Sequence, residues 1–418
     1  MFSASYCSAG SLAELRDQTL PPSLLIVAVL MASIPLENST VLPAIGSISR
    51  LLGVLATGAV VIDAAVALGF RRPHVAHLPL ALFVIWSAWT FFWSFDPKLT
   101  SERITTNLQL LAMVWLIWQS VRELRLLRIV LQGFVLGSCF AAILTVIKSR
   151  ELDAIDAIRF SGAGADPNEL GLVMVLTIPM AYYLSATAPT RLSRLLWLSP
   201  MPLYIVGVVL TVSRGAFITT VVALLGISIW HVTSSSRMRF APLIAGVLLL
   251  SLGFSLMPKV SLERIGTIES EISTGRIGKR MLIWSAGMEL FRERPMTGIG
   301  AATFSNAVEP LLGRDLAAHN VYVSVLTETG IIGFLIFSLA LITCFITAMH
   351  LDSSERALWL MVMVIWCIGV MSLTWEYKKV TWSLFGLLIA SASTTGNGLG
   401  ETASSVMPGT GTDGLIRK

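Results

Sequence analysis

Long apolar stretches recur along this chain at a spacing that leaves few architectures open. A helix needs roughly 20 mainly apolar residues to cross a hydrocarbon core of about 30 Å. About twelve runs of roughly 15 to 22 residues approach or meet that requirement. They centre near Ala28, Val54, Val84, Met113, Gly137, Val175, Ile205, Ala223, Gly246, Phe337, Val364 and Leu387, and the first, fourth and last are short. Composition agrees. Of 418 residues, 55% are apolar and 13% charged, with a mean hydropathy of +0.77, far from globular averages. The expected fold class is therefore all-α, a polytopic integral membrane protein.

The leading segment "MFSASYCSAGSLAELRDQTLPPS" lacks the basic, apolar, small-residue order of a cleavable signal. The first span is expected to remain as an anchor. Cys7, Cys139, Cys344 and Cys367 are scattered, three of them inside apolar spans. Without a CxxC pair or a Cys/His cluster, neither a disulfide framework nor a metal site is expected, and no cofactor is called for.

Orientation follows from the short loops, because Lys and Arg near span ends favour the cytoplasm. "RRPH" (71–74), "VRELRLLR" (121–128), "TRLSRL" (190–195), "SSSRMR" (234–239) and "DSSER" (352–356) alternate with less basic loops. Placing these five inside puts both termini in the cytoplasm. Facing outward are the segments around Glu37, 95–106, 148–169, 212–215, 258–320 and 375–379. The expected layout is a cytoplasmic tail over 1–21 and nine helices with short loops over 22–257. A large periplasmic loop over 258–320, three more helices over 321–392 and a disordered Gly/Ser/Thr-rich tail over 393–418 follow.

The outward set holds the anomalies. In the large loop, "KRMLIWSAGMELFRERP" carries Leu282, Ile283, Ala286 and Leu290 at helical spacing, which predicts an amphipathic helix stopped by Pro295. "MTGIGAATF" then reads as a glycine turn. In "TVSRGAF" (211–217), Arg214 has no acidic neighbour and runs against the positive-inside trend. In "IRFSGAGADPNELG" (158–171), Arg159 precedes a Gly-rich stretch, and Asp166, Pro167 and Asn168 suit a helix start. In "AAHNVYVSVLTETGIIG" (317–333), His319 and Glu328 bracket the beginning of an apolar helix.

Each feature also has a plainer account. Arginines at span ends snorkel to headgroups. His319 can bond a backbone carbonyl, Asn320 can cap the helix that follows, and Glu328 can be the buried partner of an arginine, with Gly330 and Gly333 marking close helix packing. Trp375 and Tyr377 of "TWEYKK" suit an interfacial belt, and Asp63 suits a polar neighbour within the bundle. The functional account rests on concurrence: arginine forks match phosphate oxygens, and a neutral imidazole suits proton abstraction. Guanidinium charge nearby would keep that imidazole neutral. Glu328 follows His319 by nine residues, about half a turn round the helix, so it is not expected to touch it.

Three of these segments, "TVSRGAF", "GRIGKRMLIWSAGMELFRERPMTGIGAATF" and "AAHNVYVSVLTETGIIGFLIF", in that order, resemble the signature of the O-antigen ligase and O-antigen polymerase (Wzy-type) superfamily. The resemblance is strongest over about 205–340, with weaker echoes in "RFSGAGADPNELG" and "WEYKKVTW"; the first 150 residues match only in hydropathy. It implies a bacterial inner-membrane glycosyltransferase with its active site facing the periplasm. Such an enzyme moves a glycan from undecaprenyl pyrophosphate to an acceptor hydroxyl with inversion, without a metal or a nucleotide sugar. On this likeness His319 would be the base. Arg214, Arg280 or its close rival Arg276, and Arg159 would hold the pyrophosphate, with Asn320 and Glu328 in support. The acceptor would be lipid A core for a ligase, another lipid-linked repeat unit for a polymerase, or a protein Ser or Thr; ligation in lipopolysaccharide synthesis is the first reading. Membrane lipids are the surrounding partners and no nucleic acid is expected. A transporter or flippase is the rival class, but no internal repeat supports it.

Overall fold

The computed structural model describes residues 20–39, 41–42, 46–151, 166–233, 244–248, 251 and 276–394. Arg159, the far N-terminal and C-terminal segments and most of the first half of the large loop lie outside these residues. Among the described residues the fold is helical apart from one two-residue ladder pairing Val41–Leu42 with Gly46–Ser47.

The helices in chain order are α1 (Pro22–Ser33), α2 (Ile48–Asp63), α3 (His77–Trp89), α4 (Pro97–Ser120), α5 (Leu124–Glu151), α6 (Pro167–Ala186), α7 (Arg191–Leu198), α8 (Met201–Leu210) and α9 (Arg214–Thr233). After the undescribed stretch come α10 (Arg276–Glu293), α11 (Phe304–Leu312), α12 (Val321–Met349), α13 (Ser353–Gly369) and α14 (Lys379–Ser391). All twelve expected centres fall in helical backbone, Gly246 within the short piece 244–248. Seven helical segments are long and apolar enough to cross a membrane, and those at Pro22–Glu37, His77–Trp93 and Lys379–Ser391 are apolar but shorter. The segment 95–106, expected as a loop, is largely the first part of α4, which Asp96 starts by accepting from the Lys98 and Leu99 amides.

Helix α6 lies at the centre, packed against α5, α8, α9 and α13, with most of its residues buried. Close approach is built into α1 and α5. A Cβ on Gly133 or Gly137 would overlap the carbonyl oxygens of Ala28 and Ala32, so this small-xxx-small pair lets the two backbones meet. The far half of α12 instead turns a stripe of Leu335, Leu339, Ile342, Ile346 and Met349 outward. Its three- and four-residue spacing is one helix face, and lipid is the solvent that suits it.

Contacts gather the segments read as outward at one end of the bundle. The Phe95 amide donates to the Ile299 carbonyl (2.8 Å), and the Asn306 amide reaches Asp96 (3.4 Å). Lys378 pairs with Glu169 at 2.9 Å, and Lys379 pairs with Glu37. The basic loops 71–74 and 121–128 lie together at the other end, where Arg71 meets the C-terminus of α4; the loop 234–239 lies outside the described residues. Asp63 accepts from the Ser23 amide at 3.1 Å near the start of α1, the polar neighbour expected for it.

Candidate active site

The helix expected in the large loop is α10. It ends at Glu293, two residues before Pro295. Ile283, Ala286 and Leu290 are buried against Phe304, Val308 and Ala318, as their spacing predicts, but Leu282 points outward at 57% exposure. One turn beyond Arg280 on the same face, the Trp284 indole donates to the Ala318 carbonyl at 2.9 Å. That bond fixes α10 beside the residue preceding His319.

His319 is held in the left-handed region, with φ at 47°. Its backbone N–H donates to Thr374 Oγ1 at 3.1 Å. Asn320 caps α12, its Oδ1 accepting from the Tyr322 (2.9 Å) and Val323 (3.3 Å) amides. The backbone is therefore clamped on both sides while the ring stays half-buried. Burial first, and then the positive charge of Arg280, holds the imidazole pKa below its ordinary 6.5, against the opposing pull of Asp166 and Glu169. The ring is neutral at pH 7, the form that can accept a proton.

Below this point α12 breaks. Gly330 has φ 67° and ψ −173°, so the helix stops at Thr329 and restarts. In lipid every freed backbone group needs a partner, and the glycine turn supplies them. The Ile299 and Gly300 amides donate to the Thr327 (3.1 Å) and Glu328 (2.9 Å) carbonyls, and the Ile331 amide donates to the Pro295 carbonyl (2.8 Å). The Trp86 indole takes the Thr329 carbonyl at 2.8 Å. The glycines that suggested helix packing thus have a different use at Gly330. A Cβ there would overlap the Met296 carbonyl, and one on Gly298 would overlap that of Glu328.

Glu328 secures the same junction. Its carboxylate accepts from the Ala302 (2.8 Å) and Phe304 (3.2 Å) amides at the start of α11, and from the Tyr377 hydroxyl at 2.8 Å. A carboxylate at a helix N-terminus satisfies orphan amides and favours the dipole. The expected arginine, from another helix, acts on this carboxylate through its charge while these donors make the hydrogen bonds. Arg103 of α4 stacks its guanidinium 3.7 Å above the Tyr377 ring and contributes charge at longer range. No hydrogen bond joins Glu328 to His319 among the described residues, in line with their half-turn offset.

Trp375 and Tyr377 are not belt residues: at 1% and 8% exposure, with Glu376 at 0% between them, they form a buried plug under the site. Burial, with the Glu328 charge beside it, pushes the Glu376 carboxyl to about 8. This plug, Thr374, Trp284 and Arg103 are what sequence reasoning missed. Only the density of aromatic and charged residues in "TWEYKK" signalled it.

Arg214 opens α9 and is exposed. Its neighbour Gly215 lies against Ser372, two residues before Thr374, so the arginine turn and the His319 turn share a wall. Asp166 caps α6 through the Asn168 (2.7 Å) and Glu169 (3.3 Å) amides, as expected, and its charge reaches His319. The structure therefore brings His319, Asn320, Arg214 and Arg280 to one end of the bundle, with Glu328 bracing it from below. Arg276 begins the face of α10 that continues to Arg280 and Trp284; Arg159 lies outside the described residues.

A multi-pass helical membrane protein with a half-buried histidine and arginines at one end is the class these observations define. Residues 201–338 match the family model described as O-Antigen ligase. The chain is also 24% identical over 299 residues to the exopolysaccharide production protein ExoQ of Rhizobium meliloti (strain 1021), covering 65% of each chain. Over this stretch the chain resembles the O-antigen ligase and polymerase superfamily, and the matched segment contains both the arginine turn and His319.

Proposed function

We propose that this protein is a glycosyltransferase of surface-polysaccharide assembly that moves a glycan from undecaprenyl pyrophosphate to an acceptor hydroxyl at the periplasmic face of the inner membrane. The observation that carries this reading is the clamped, neutral His319 ring under the charge of Arg280. His319 takes the proton of the acceptor hydroxyl as its oxygen attacks the anomeric carbon. The bond to the pyrophosphate breaks, and the charge gathering on the leaving group meets Arg214 and Arg280. A single displacement of this kind inverts the anomeric centre. The backbone bonds that hold His319 and Asn320 keep the ring in place for that transfer.

Two acceptors suit the same chemistry. The O-antigen ligase family favours the first reading, ligation to lipid A core, whereas likeness to ExoQ, an exopolysaccharide production protein, favours joining one lipid-linked repeat unit to another. Purified protein incubated with a lipid-pyrophosphate glycan and each acceptor in turn decides between them, with EDTA present to test that no divalent cation is needed. Transfer to neither acceptor overturns the reading.

A further inference from the structure

Away from His319, at the same end of the bundle, a lateral groove of about 660 Å³ opens between α2 and α4, with α1 at its back. Its walls are apolar along Leu30, Val54, Leu110, Met113 and Leu116. From Thr106 to Leu116 the α4 wall runs about 15 Å along the helix axis. The mouth is different in kind. Arg50, Lys378, Lys379, Ser47, Ser49 and Glu37 meet there, and Lys379 Nζ donates to Ser49 Oγ (2.8 Å) and Ser47 Oγ (3.2 Å) besides its pair with Glu37. Arg50, Lys378 and Lys379 gather at this rim, Lys379 paired with Glu37 and Lys378 with Glu169, and this excess of one cation favours an anionic head above an apolar chain.

The adjacent lysines face different ways. Lys379 holds the groove mouth, while Lys378 reaches Glu169, at 2.9 Å, on the first turn of α6. Glu169 and its neighbour Asp166 both act electrostatically on His319. A small cleft lined by Glu37, Glu169, Trp375, Lys378 and Lys379 joins the two regions. The strap 377–379 therefore connects an amphipathic groove to the proposed chemistry. On one wall, Gly53 and Gly58 have nothing within 4 Å of where a Cβ would stand, so the open volume is made partly by missing side chains.

We propose that this groove is a loading site for a single-chain polyprenyl phosphate, its isoprenoid lying against α2 and α4 and its phosphate taken by Lys379 and then Lys378. The inference rests on the proposed function and adds to it the path by which the lipid reaches His319. Phosphate oxygens displace Glu37 and then Glu169 from the two lysines, so each carboxylate holds its lysine in place until the lipid arrives.

The test measures lipid retention without any glycan. Native mass spectrometry of the detergent-purified protein, titrated with undecaprenyl phosphate, phosphatidylglycerol and undecaprenol, gives the binding order. Undecaprenyl phosphate is expected to bind best. Gly53→Leu with Gly58→Leu grows side chains from positions where a Cβ meets nothing within 4 Å and replaces two poor helix formers, so the variant should melt no lower than wild type yet bind at least about tenfold more weakly. Lys379→Ala should bind several-fold more weakly, and His319→Ala should bind as wild type does. Binding by the filled variant within about twofold of wild type, or equal binding and equal loss for phosphatidylglycerol, overturns the loading site. Failure of the functional reading looks different: wild type would then transfer no glycan, while groove-dependent retention of the polyprenyl phosphate persisted.

Discussion

The two ends of the bundle use arginine in opposite ways. At the end of the basic loops, Arg71 donates to the Trp118 (2.6 Å) and Val121 (2.8 Å) carbonyls and lies 3.9 Å above the Trp118 ring. Arg122 donates to the Gly69 carbonyl at 2.5 Å. These cations finish helix C-termini, where orphan carbonyls and the dipole welcome them. At the other end, Arg214 opens α9 and Arg280 stands one turn into α10, near helix N-termini where the dipole gives a cation no welcome. Backbone strain is divided in the same way. The described non-glycine residues with positive φ are Val212, Ala302 and His319, one in each of the three motif segments. Such conformations cost energy and persist only where the surroundings impose them. One end is thus finished for stability, and the other spends stability on placing side chains.

The largest test of that contrast is His319→Ala. Loss of a positioned base should slow single-turnover transfer by about 10²- to 10⁴-fold, with lipid binding kept. Wild-type transfer by this variant would end the base assignment.

Next come the arginines, compared across the molecule. Arg280→Ala or Arg214→Ala should weaken donor binding and slow transfer, by about 10- to 10³-fold in kcat/KM, with little change in melting temperature. Lys at either position should restore only part, since a point charge does not reproduce a bidentate fork. Arg71→Ala should do the reverse, costing about 1–3 kcal/mol of stability through the stranded carbonyls while each folded molecule keeps its rate. Measuring melting and kcat/KM on all three separates the two uses; loss of rate with Arg71→Ala at normal folding would erase the distinction.

A smaller effect sharpens it at equal φ. Gly69 and Gly298 share a φ of 69°, but a Cβ on Gly69 meets nothing within 4 Å, whereas one on Gly298 overlaps the Glu328 carbonyl. Gly69→Ala should cost about 1–3 kcal/mol, the penalty of a backbone at φ 69° and ψ 154° alone. Gly298→Ala should cost about 1–3 kcal/mol more, because the turn must leave the broken helix. Thermal melts in one detergent compare them directly, and equal losses would mean that the latch at Gly330 adds nothing.

Much of this was legible in the sequence, and the gaps have physical causes. Hydropathy marked the helix centres because lipid demands long apolar runs, and the caps at Asp96, Asp166 and Asn320 are local chemistry. Of these, Asp166 and Asn320 were read as starts. Asp96 was passed over because the first turns of α4 are polar, and their partners, such as Ala301 for Thr100, lie about two hundred residues away. The same holds for "TWEYKK": nothing local tells that Tyr377 seeks Glu328 or that Thr374 holds the His319 amide. Gly330 reads as a packing residue since a helix break and a helix contact both favour glycine, and only the partner turn 295–300 decides.

The finest test concerns pH. Burial and Arg280 together hold the His319 pKa below 6.5, so the neutral base persists to lower pH than for a free histidine. Transfer by wild type should therefore stay level through neutral pH and fall only as the medium drops below 6.5 and the ring is protonated. The sign for stability is the same: the folded state resists a proton that the unfolded chain accepts, so this residue's contribution is present above the unfolded pKa and is lost as pH falls from there through the lower folded pKa. Arg280→Ala removes the second cause and leaves the first, which predicts an acid limb displaced upward toward 6.5 without reaching it. Arg280→Lys, which keeps the charge, should leave the limb near its wild-type place even where kcat/KM is reduced. A pH profile of single-turnover rates across the three proteins reads this directly. An unmoved limb in Arg280→Ala would show that the guanidinium is remote from the ring, and would return the choice of large-loop arginine to Arg276.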